Sequence, residues 1–387
     1  AEDPMKIGFV YVGPIGDHGW SYQHDLGRKA VEAHFGDQVE TTYVENVAEG
    51  ADAERTIRML AQAGNDVIFT TSFGFMNPTI RVAEQFPDIT FMHATGYKQA
   101  DNVGTYLSKT YEGRYVTGVA AGLVTESNVL GYIASFPIPE VIRDINAVYL
   151  GAKSVNPDIE IKVVWANTWF DPAKEADAAN AMMDQGADVV IQHTDSPAPL
   201  MSALRRGNWG VGQASDMREF GKEAHLLSVA NNWGPYYVDQ VQKVMDDTWV
   251  PEDHWGGIDE DMIQIIGLSD RLSEDQSAAV NQVIDAISAG ELHPFTGPLK
   301  DQAGELKVAD GVTMTEQELE QAKHWAEAWE KAGPELERIR RKEIRETDTF
   351  EALKAFLGPI DFSKEPFAPR PDSGLLEQQD HFAKARK

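Results

Sequence analysis

Residues 6–44 read KIGFVYVGPIGDHGWSYQHDLGRKAVEAHFGDQVETTYV, and this stretch decides the fold. Ile7–Val12 is a short apolar, β-branched run, the signature of a buried strand. A helical pattern follows from Ser21 to Phe35, with Leu26, Ala30 and Ala33 expected on the apolar face and Gly36 as the stop. Val39–Val44 is a second strand. Strand, helix, strand within so few residues is a βαβ unit on a parallel sheet. The loop between the first strand and the helix carries a Trp, a Tyr, two His and two Asp, far more chemistry than a turn needs.

Working outward, the rhythm continues. Asp52–Ala63 ends at Gly64, Val67–Thr71 is a strand, Pro78–Phe86 a helix and Ile89–His93 a strand. It then restarts. Val129–Ala134 is a strand, and Val141–Gly151 a helix with Val141, Ile145 and Val148 at helical spacing. Ile159–Trp165, Val189–Thr194, Val211–Gly212 and Leu226–Val229 read as strands; Pro172–Gln185, Pro199–Arg206 and Gly234–Thr248 read as helices. Two α/β series of similar grammar predict two lobes, residues 1–125 and 126–251. Segments 258–266 and 295–309 then return as strands, so that about 252–318 completes lobe one. From 319 to 387 the chain turns rich in Glu, Ala, Lys and Arg and then in Pro, which predicts a helical and irregular C-terminal extension.

The 387 residues carry 62 acidic and 34 basic side chains, a net charge of −28. Nucleic acid and anionic membranes demand a basic footprint, so neither is expected as a partner. The plain reading of the acidity is solubility. There is no cysteine, hence no disulfide, no zinc thiolate, no thiol nucleophile and no lipid-anchored N-terminal Cys. No apolar run reaches the roughly 18 residues that span a bilayer. The opening Ala-Glu-Asp-Pro suggests either removal of a signal peptide or a cloning scar.

In open parallel sheets, ligands bind beyond the carboxyl ends of strands. The residues there are Asp17, Trp20 and Tyr22; Ser72 and Phe73; Thr95 and Gly96; Trp169, Phe170 and Asp171; His193 and Asp195; Asp216; and Asn232 and Trp233. The set is rich in aromatic faces and short polar groups, and poor in Lys and Arg. A phosphate or carboxylate ligand would want an Arg fork. A flat, neutral heteroaromatic wants stacking faces, with carboxylates or amides to read its N–H and ring-nitrogen edges. Bland readings stand beside these: Asp17 and Asp171 serve equally well as helix caps, and some of the Trp as core. No dinucleotide fingerprint, phosphate-binding loop or nucleophile elbow is present, and the His residues lack helical metal spacing. No metal and no cofactor is expected. His193 near Asp195 suits a metal or acid–base pair, but more simply a satisfied polar cluster.

The segments GFVYVGPIGDHGWSYQHDLGRKA, FTTSFGF, FPDITFMHATGY, YEGRYVTGVAAG, SVNPDIEIKVVWANTWFDPAKEADAANAMMDQGADVVIQHTD and ELHPFTGPLKDQAGE, in that order, resemble the basic membrane protein family. These are substrate-binding proteins of ABC importers, related to purine nucleoside receptor lipoproteins, and the likeness covers about residues 5–318. It implies a type I periplasmic binding fold: two Rossmann-like lobes with parallel sheets, hinged over a purine. It places the base between Trp20 and either Trp169 or Phe170. It makes Asp216 the acidic residue of the second lobe's Ser-Asp step, and Asp17 a polar reader or a loop brace. It implies an ABC permease in the inner membrane as partner, a monomer in the periplasm with its signal peptide removed, and no lipid anchor, since Cys is lacking.

Departures sharpen the expectation. Nucleoside-binding relatives carry a Lys where this chain has Asn231-Asn232-Trp233, and an Asp where it has Thr95. Loss of ribose contacts, with a bulky Trp233 added, points to a free nucleobase such as adenine, as in the members that this sequence most resembles. The alternatives are a purine nucleoside (adenosine, guanosine or inosine), a nucleoside hydrolase-like enzyme using His193, Asp195 and Asp216, and a ligand sensor that binds a kinase or receptor rather than a permease.

Overall fold

The structure, a computed structural model, describes residues 3–301 and 303–321. The expected C-terminal extension falls outside them, apart from its first residues.

The first series forms β1 (Met5–Val10), α1 (Trp20–Phe35), β2 (Val39–Val44), α2 (Ala51–Gln62), β3 (Val67–Thr70), α3 (Met76–Ala83), β4 (Thr90–Ala94) and β5 (Val103–Ser108). The second forms α4 (Thr110–Val124), β6 (Val129–Ala134), α5 (Pro139–Val155), β7 (Glu160–Trp165), α6 (Pro172–Asp184), β8 (Val189–Gln192), α7 (Ala198–Arg206), β9 (Trp209–Ala214) and β10 (His225–Asn231). Then come α8 (Gly234–Met245), β11 (Asp253–Gly256), β12 (Ile263–Ile266), α9 (Glu274–Ser288), β13 (Leu299–Lys300), β14 (Leu306–Val308) and α10 (Glu316–Gln321).

Two six-stranded sheets result, in the orders β11-β5-β4-β3-β1-β2 and β12-β10-β9-β8-β6-β7. Within these two sheets all strand pairs are parallel except β10 with β12, and β13 and β14 form a separate antiparallel pair. Each sheet is near-continuously apolar because helices cover both faces. Clusters around Phe9, Phe69 and Tyr237 and around Val10, Ile57 and Phe91 sandwich the first sheet. Clusters around Tyr132, Ile191 and Leu226 and around Ile133, Met182 and Val190 sandwich the second. In each sheet the strand order reverses where one strand stands between its two successors, β1 between β2 and β3, and β6 between β7 and β8. Those two switch points are where the crevice opens.

The lobes are threaded differently from the sequence expectation. Helix α4 follows β5 but packs on α5, α9 and β10 of the second lobe. Helix α8 follows β10 but packs on α1 of the first. Of the segment expected to complete lobe one, only β11 joins that sheet; β12 pairs with β10, and α9 packs on α4. The chain therefore crosses between lobes three times, near Ser108–Thr110, Asn231–Trp233 and Gly256–Ile263, rather than at 125 and 251. Local pattern cannot reveal this, because both lobes offer an apolar face to any amphipathic helix. The crossings are tied to one another. Asn231 Nδ2 donates to Ser108 Oγ at 2.7 Å, the Lys109 N–H to Gly256 O at 2.7 Å, and the Asn232 N–H to Met262 O at 3.0 Å. Glu112 Oε2 accepts the Ile258 N–H at 2.8 Å, and burial lifts this carboxyl to about 7.

Helix α1 also departs from expectation. It buries Ser21, His24, Asp25, Gly27, Arg28, Val31 and Phe35, while Leu26 is 38% exposed. The buried polar groups are largely paired: Arg28 Nε donates to Asp25 Oδ1 at 2.7 Å, and His24 Nδ1 lies 2.6 Å from the Tyr237 hydroxyl on α8, while His24 Nε2 has no hydrogen-bond partner among the described residues. A buried face built from paired polar residues carries no hydrophobic period. Helices α4 and α5 cross at backbone contact: a Cβ on Gly118 would fall 2.1 Å from Val148 O, and one on Gly151 2.1 Å from Tyr115 O.

Candidate functional site

A cleft lies between the carboxyl ends of the two sheets, with about 350 Å³ of atom-free space that is partly open to solvent. Lobe one lines it with Val12 and Trp20 after β1, Ser72 and Phe73 after β3, and Thr95 after β4. Lobe two lines it with Ile138 and Glu140 after β6, Trp169 after β7, and His193 and Asp195 after β8. No Lys or Arg is among these lining residues.

Asp17 builds the first jaw without entering the cleft. It is fully buried, and its oxygens accept the backbone N–H groups of Gly19 at 2.8 Å, Ser21 at 3.0 Å and Tyr22 at 3.0 Å. It thereby stops the otherwise uncapped N-terminus of α1. Burial raises its carboxyl to about 6, with the three N–H groups pulling the other way. Of the two roles open to it, the structure shows the brace. Trp20 is set by the same turn. Its Nε1 donates to Thr71 O at 2.6 Å, and its ring meets His24 edge-on at 4.5 Å and Trp233 edge-on at 5.5 Å.

Trp233 does not reach the cleft. It is 1% exposed and stacks on His24 at 4.6 Å, forming the floor beneath Trp20. Its bulk supports the Trp20 ring and does not line the cleft. Asn232 is at the hinge, its Nδ2 donating to the Asp261 carbonyl at 3.1 Å. Tyr22 packs beside His18, at 5.6 Å between rings, away from the cleft. Gly96 is not a lining residue; a Cβ there would meet the His93 ring at 2.1 Å, so glycine is what the close approach allows. Thr95 beside it holds φ +67°, a costly conformation for a β-branched residue and one that recurs at binding sites. Ser72 Oγ donates to Glu49 Oε1 at 2.5 Å.

On the second jaw, Trp169 lines the cleft and Phe170 does not. The Trp169 ring packs against Phe136 at 5.2 Å, its carbonyl accepts the Asp195 N–H at 2.9 Å, and its indole N–H is buried without a partner among the described residues. Asp171 caps α6 by accepting the Lys174 N–H at 3.1 Å. Asp195 is 2% exposed with an unpartnered Oδ2; burial, and then the charges of Asp17 and Glu175, push its carboxyl well above the ordinary range. The Trp20 backbone N–H from the opposite jaw partly offsets that rise. His193 is buried, its Nδ1 3.2 Å from the Tyr132 hydroxyl and 3.6 Å from Asp144 Oδ2; burial drives its pKa well down, so the ring is neutral.

Asp216 is misplaced by the sequence reading. It lies on the surface, its two oxygens gripping Arg218 at 2.6–3.1 Å. The positive φ of Ala214 turns the chain as β9 ends, and Ser215 becomes the rim residue, donating to the His18 carbonyl of the other jaw. His193, Asp195 and Asp216 are thus not brought together. The jaws touch elsewhere too: the His18 and Phe220 rings meet edge-on at 4.7 Å, and a Cβ on Gly19 would fall 2.4 Å from Asp195 O.

Three lining residues were not foreseen: Val12, Ile138 and Glu140. The signal was available for the last two, since they follow strand Val129–Ala134, and the strand-end rule applies there as elsewhere. Burial and then the negative charge of Asp144 lift Glu140 to about 8, against the pull of Arg143 and Arg114.

These features match known proteins. Residues 5–292 match the family of PnrA-like ABC transporter substrate-binding proteins, and the chain belongs to that family. It is 50% identical to a purine-binding protein of Brucella abortus (strain 2308) over 82% of this chain and 91% of that one. It is 41% identical over 76% of its length, and 75% of the relative's, to TsgA13 of Haloferax volcanii, which is named as an ABC transporter glucose-binding protein. The solute-binding protein of an ABC transporter system from Aeropyrum pernix K1 superposes with a TM-score of 0.66 at 17% identity, covering 78% of this chain and 95% of that one, which supports the type I binding fold. The family is one of transporter components, not enzymes, and its members act outside the cytoplasm. No described helix is long and apolar enough to cross a membrane.

Proposed function

We propose that the protein is the periplasmic receptor of an ABC importer for a purine, taken up as the free nucleobase, with adenine the best fit. The observation that carries this reading is the pairing of Trp20 and Trp169, one from each lobe, on a single cleft whose lining contains no cationic side chain. A flat neutral ring held between two indoles gains about 1–3 kcal/mol per stack. Two stacks and a few hydrogen bonds reach about −8 kcal/mol, a micromolar affinity. Asp195 Oδ2, unpaired among the described residues, supplies a polar group for a ring edge. Closure orders the hinge and presents both lobes to the permease; no bond is made or broken.

The base is preferred to the nucleoside because the residues at the end of β10 are spent elsewhere. Asn231 bonds Ser108, Asn232 bonds Asp261, and Trp233 is buried under Trp20, which leaves no cation there for a ribose. Hydrolysis is disfavoured by the separation of Asp216 from His193. Calorimetry with adenine, adenosine, guanosine and glucose tests the reading. Adenine is expected to bind at micromolar Kd or better and adenosine at least tenfold more weakly. Tighter adenosine binding overturns the base assignment, and glucose binding without purine binding overturns the ligand class.

A further inference from the structure

Glu140 is the one carboxyl on the cleft that neither braces a loop nor bridges the jaws. It is in the first turn of α5, 8% exposed, and lines the cavity beside Trp169 and Asp195. Among the described residues nothing donates a hydrogen bond to it and no ion pair holds it. The two nearby cations are partly engaged elsewhere, although Arg114 Nε and Nη1 and Arg143 Nε have no hydrogen-bond partner among the described residues. Arg114 donates to Gln192 O at 2.9 Å and to Gln213 Oε1, and lies 3.6 Å from Asp144. The Arg143 guanidinium is over the Trp255 ring at 4.9 Å and the Tyr111 ring at 5.5 Å. A largely buried carboxyl that faces a cleft without a protein partner is one that a ligand can complete.

We propose that Glu140 is the specificity-determining residue of the cleft, reading the ligand as a neutral carboxylic acid. Its O–H donates to a ring nitrogen while its C=O accepts the adjacent N–H. That donor–acceptor pair is the complement of an amidine-type edge, where a ring nitrogen lone pair stands next to an N–H. A free 6-aminopurine offers such an edge at N1 and the amino group, at N7 and the amino group, and at N3 and N9–H; N9 substitution removes the third. The inference rests on the purine reading above. The groups facing Glu140 keep it protonated: burial and the negative charge of Asp144 on α5 oppose its ionisation, Asp195 after β8 is itself raised by burial, His193 is neutral, and Arg143 and Arg114 only partly compensate.

The test is adenine affinity of the full chain from pH 6 to 9 for wild type, Glu140→Gln and Glu140→Ala. Wild type is expected to lose about tenfold between pH 7 and pH 9 as the acid ionises. Glu140→Gln, which keeps a donor beside an acceptor, is expected within about threefold of wild type at pH 7 and flatter than wild type above it. Glu140→Ala is expected to lose ten- to a hundredfold, the cost of an unmet buried hydrogen-bond pair. Equal pH slopes in wild type and Glu140→Gln, or an alanine variant that binds like wild type, overturn the proposal. Failure of wild type to bind any purine overturns the ligand reading instead, so the two failures are distinguishable.

Discussion

Removing the indole of Trp20 is the most direct test of the cleft. Trp20→Ala deletes the lobe-one plate, worth about 1–3 kcal/mol as a stack, which is about 5- to 150-fold in Kd. Trp20→Phe keeps a plate but loses the 2.6 Å hydrogen bond to Thr71 O, worth about 1 kcal/mol, or about fivefold. Trp20 also roofs His24 and Trp233, so the alanine variant uncovers apolar surface and its melting temperature must be followed alongside binding. Calorimetric titration with adenine at 25 °C, paired with a thermal melt, separates the two effects. The expected order of affinity is wild type, then Trp20→Phe, then Trp20→Ala. An alanine variant with an unchanged melt and an affinity within twofold of wild type would refute the stacking role.

Other consequences follow from the scaffold. Asp17→Asn keeps the acceptor for Gly19 and Tyr22 but turns an amide N–H₂ toward the Ser21 N–H; chemical denaturation should show a loss of about 1–3 kcal/mol. The Glu112 carboxyl is raised by burial from 4.5 to about 7, so the folded state binds its proton more tightly than the unfolded state. Its contribution is fully present below about pH 4.5 and is lost as pH rises through 7, by about 3 kcal/mol at most. A Glu112→Gln variant compared with wild type by denaturation at pH 5 and 8 should lack that component of the pH dependence. Gly118→Ala forces a methyl to within 2.1 Å of Val148 O; separating α4 from α5 should cost about 1–3 kcal/mol or more, read as a lower melting temperature.

Much of the architecture was legible because it is written locally. The runs at β1, β2, β3 and β6 are β-branched and apolar, the intervening helices close on glycine, and the strand-end rule picks out Trp20, Ser72, Phe73, Thr95, Trp169, His193 and Asp195, all of which line the cleft. The same rule over-reached where it could not see direction. Asp216 and Ser215 are neighbours in sequence, yet one backbone turn sends the carboxylate to Arg218 and the hydroxyl to the opposite jaw. It also failed by omission at Ile138 and Glu140.

By itself, the sequence determined that this is a two-series α/β chain with aromatic, cation-poor strand ends, because strand and helix periods and residue chemistry are local properties. Only the tertiary structure decided which lobe each helix joins, that Trp233 is a floor and Trp20 a wall, and that Glu140 is left facing the cleft unpaired. Those outcomes depend on contacts between residues far apart in the chain, such as Asn231 with Ser108 and α8 with α1. An amphipathic pattern states that a face will be buried; it does not state against what.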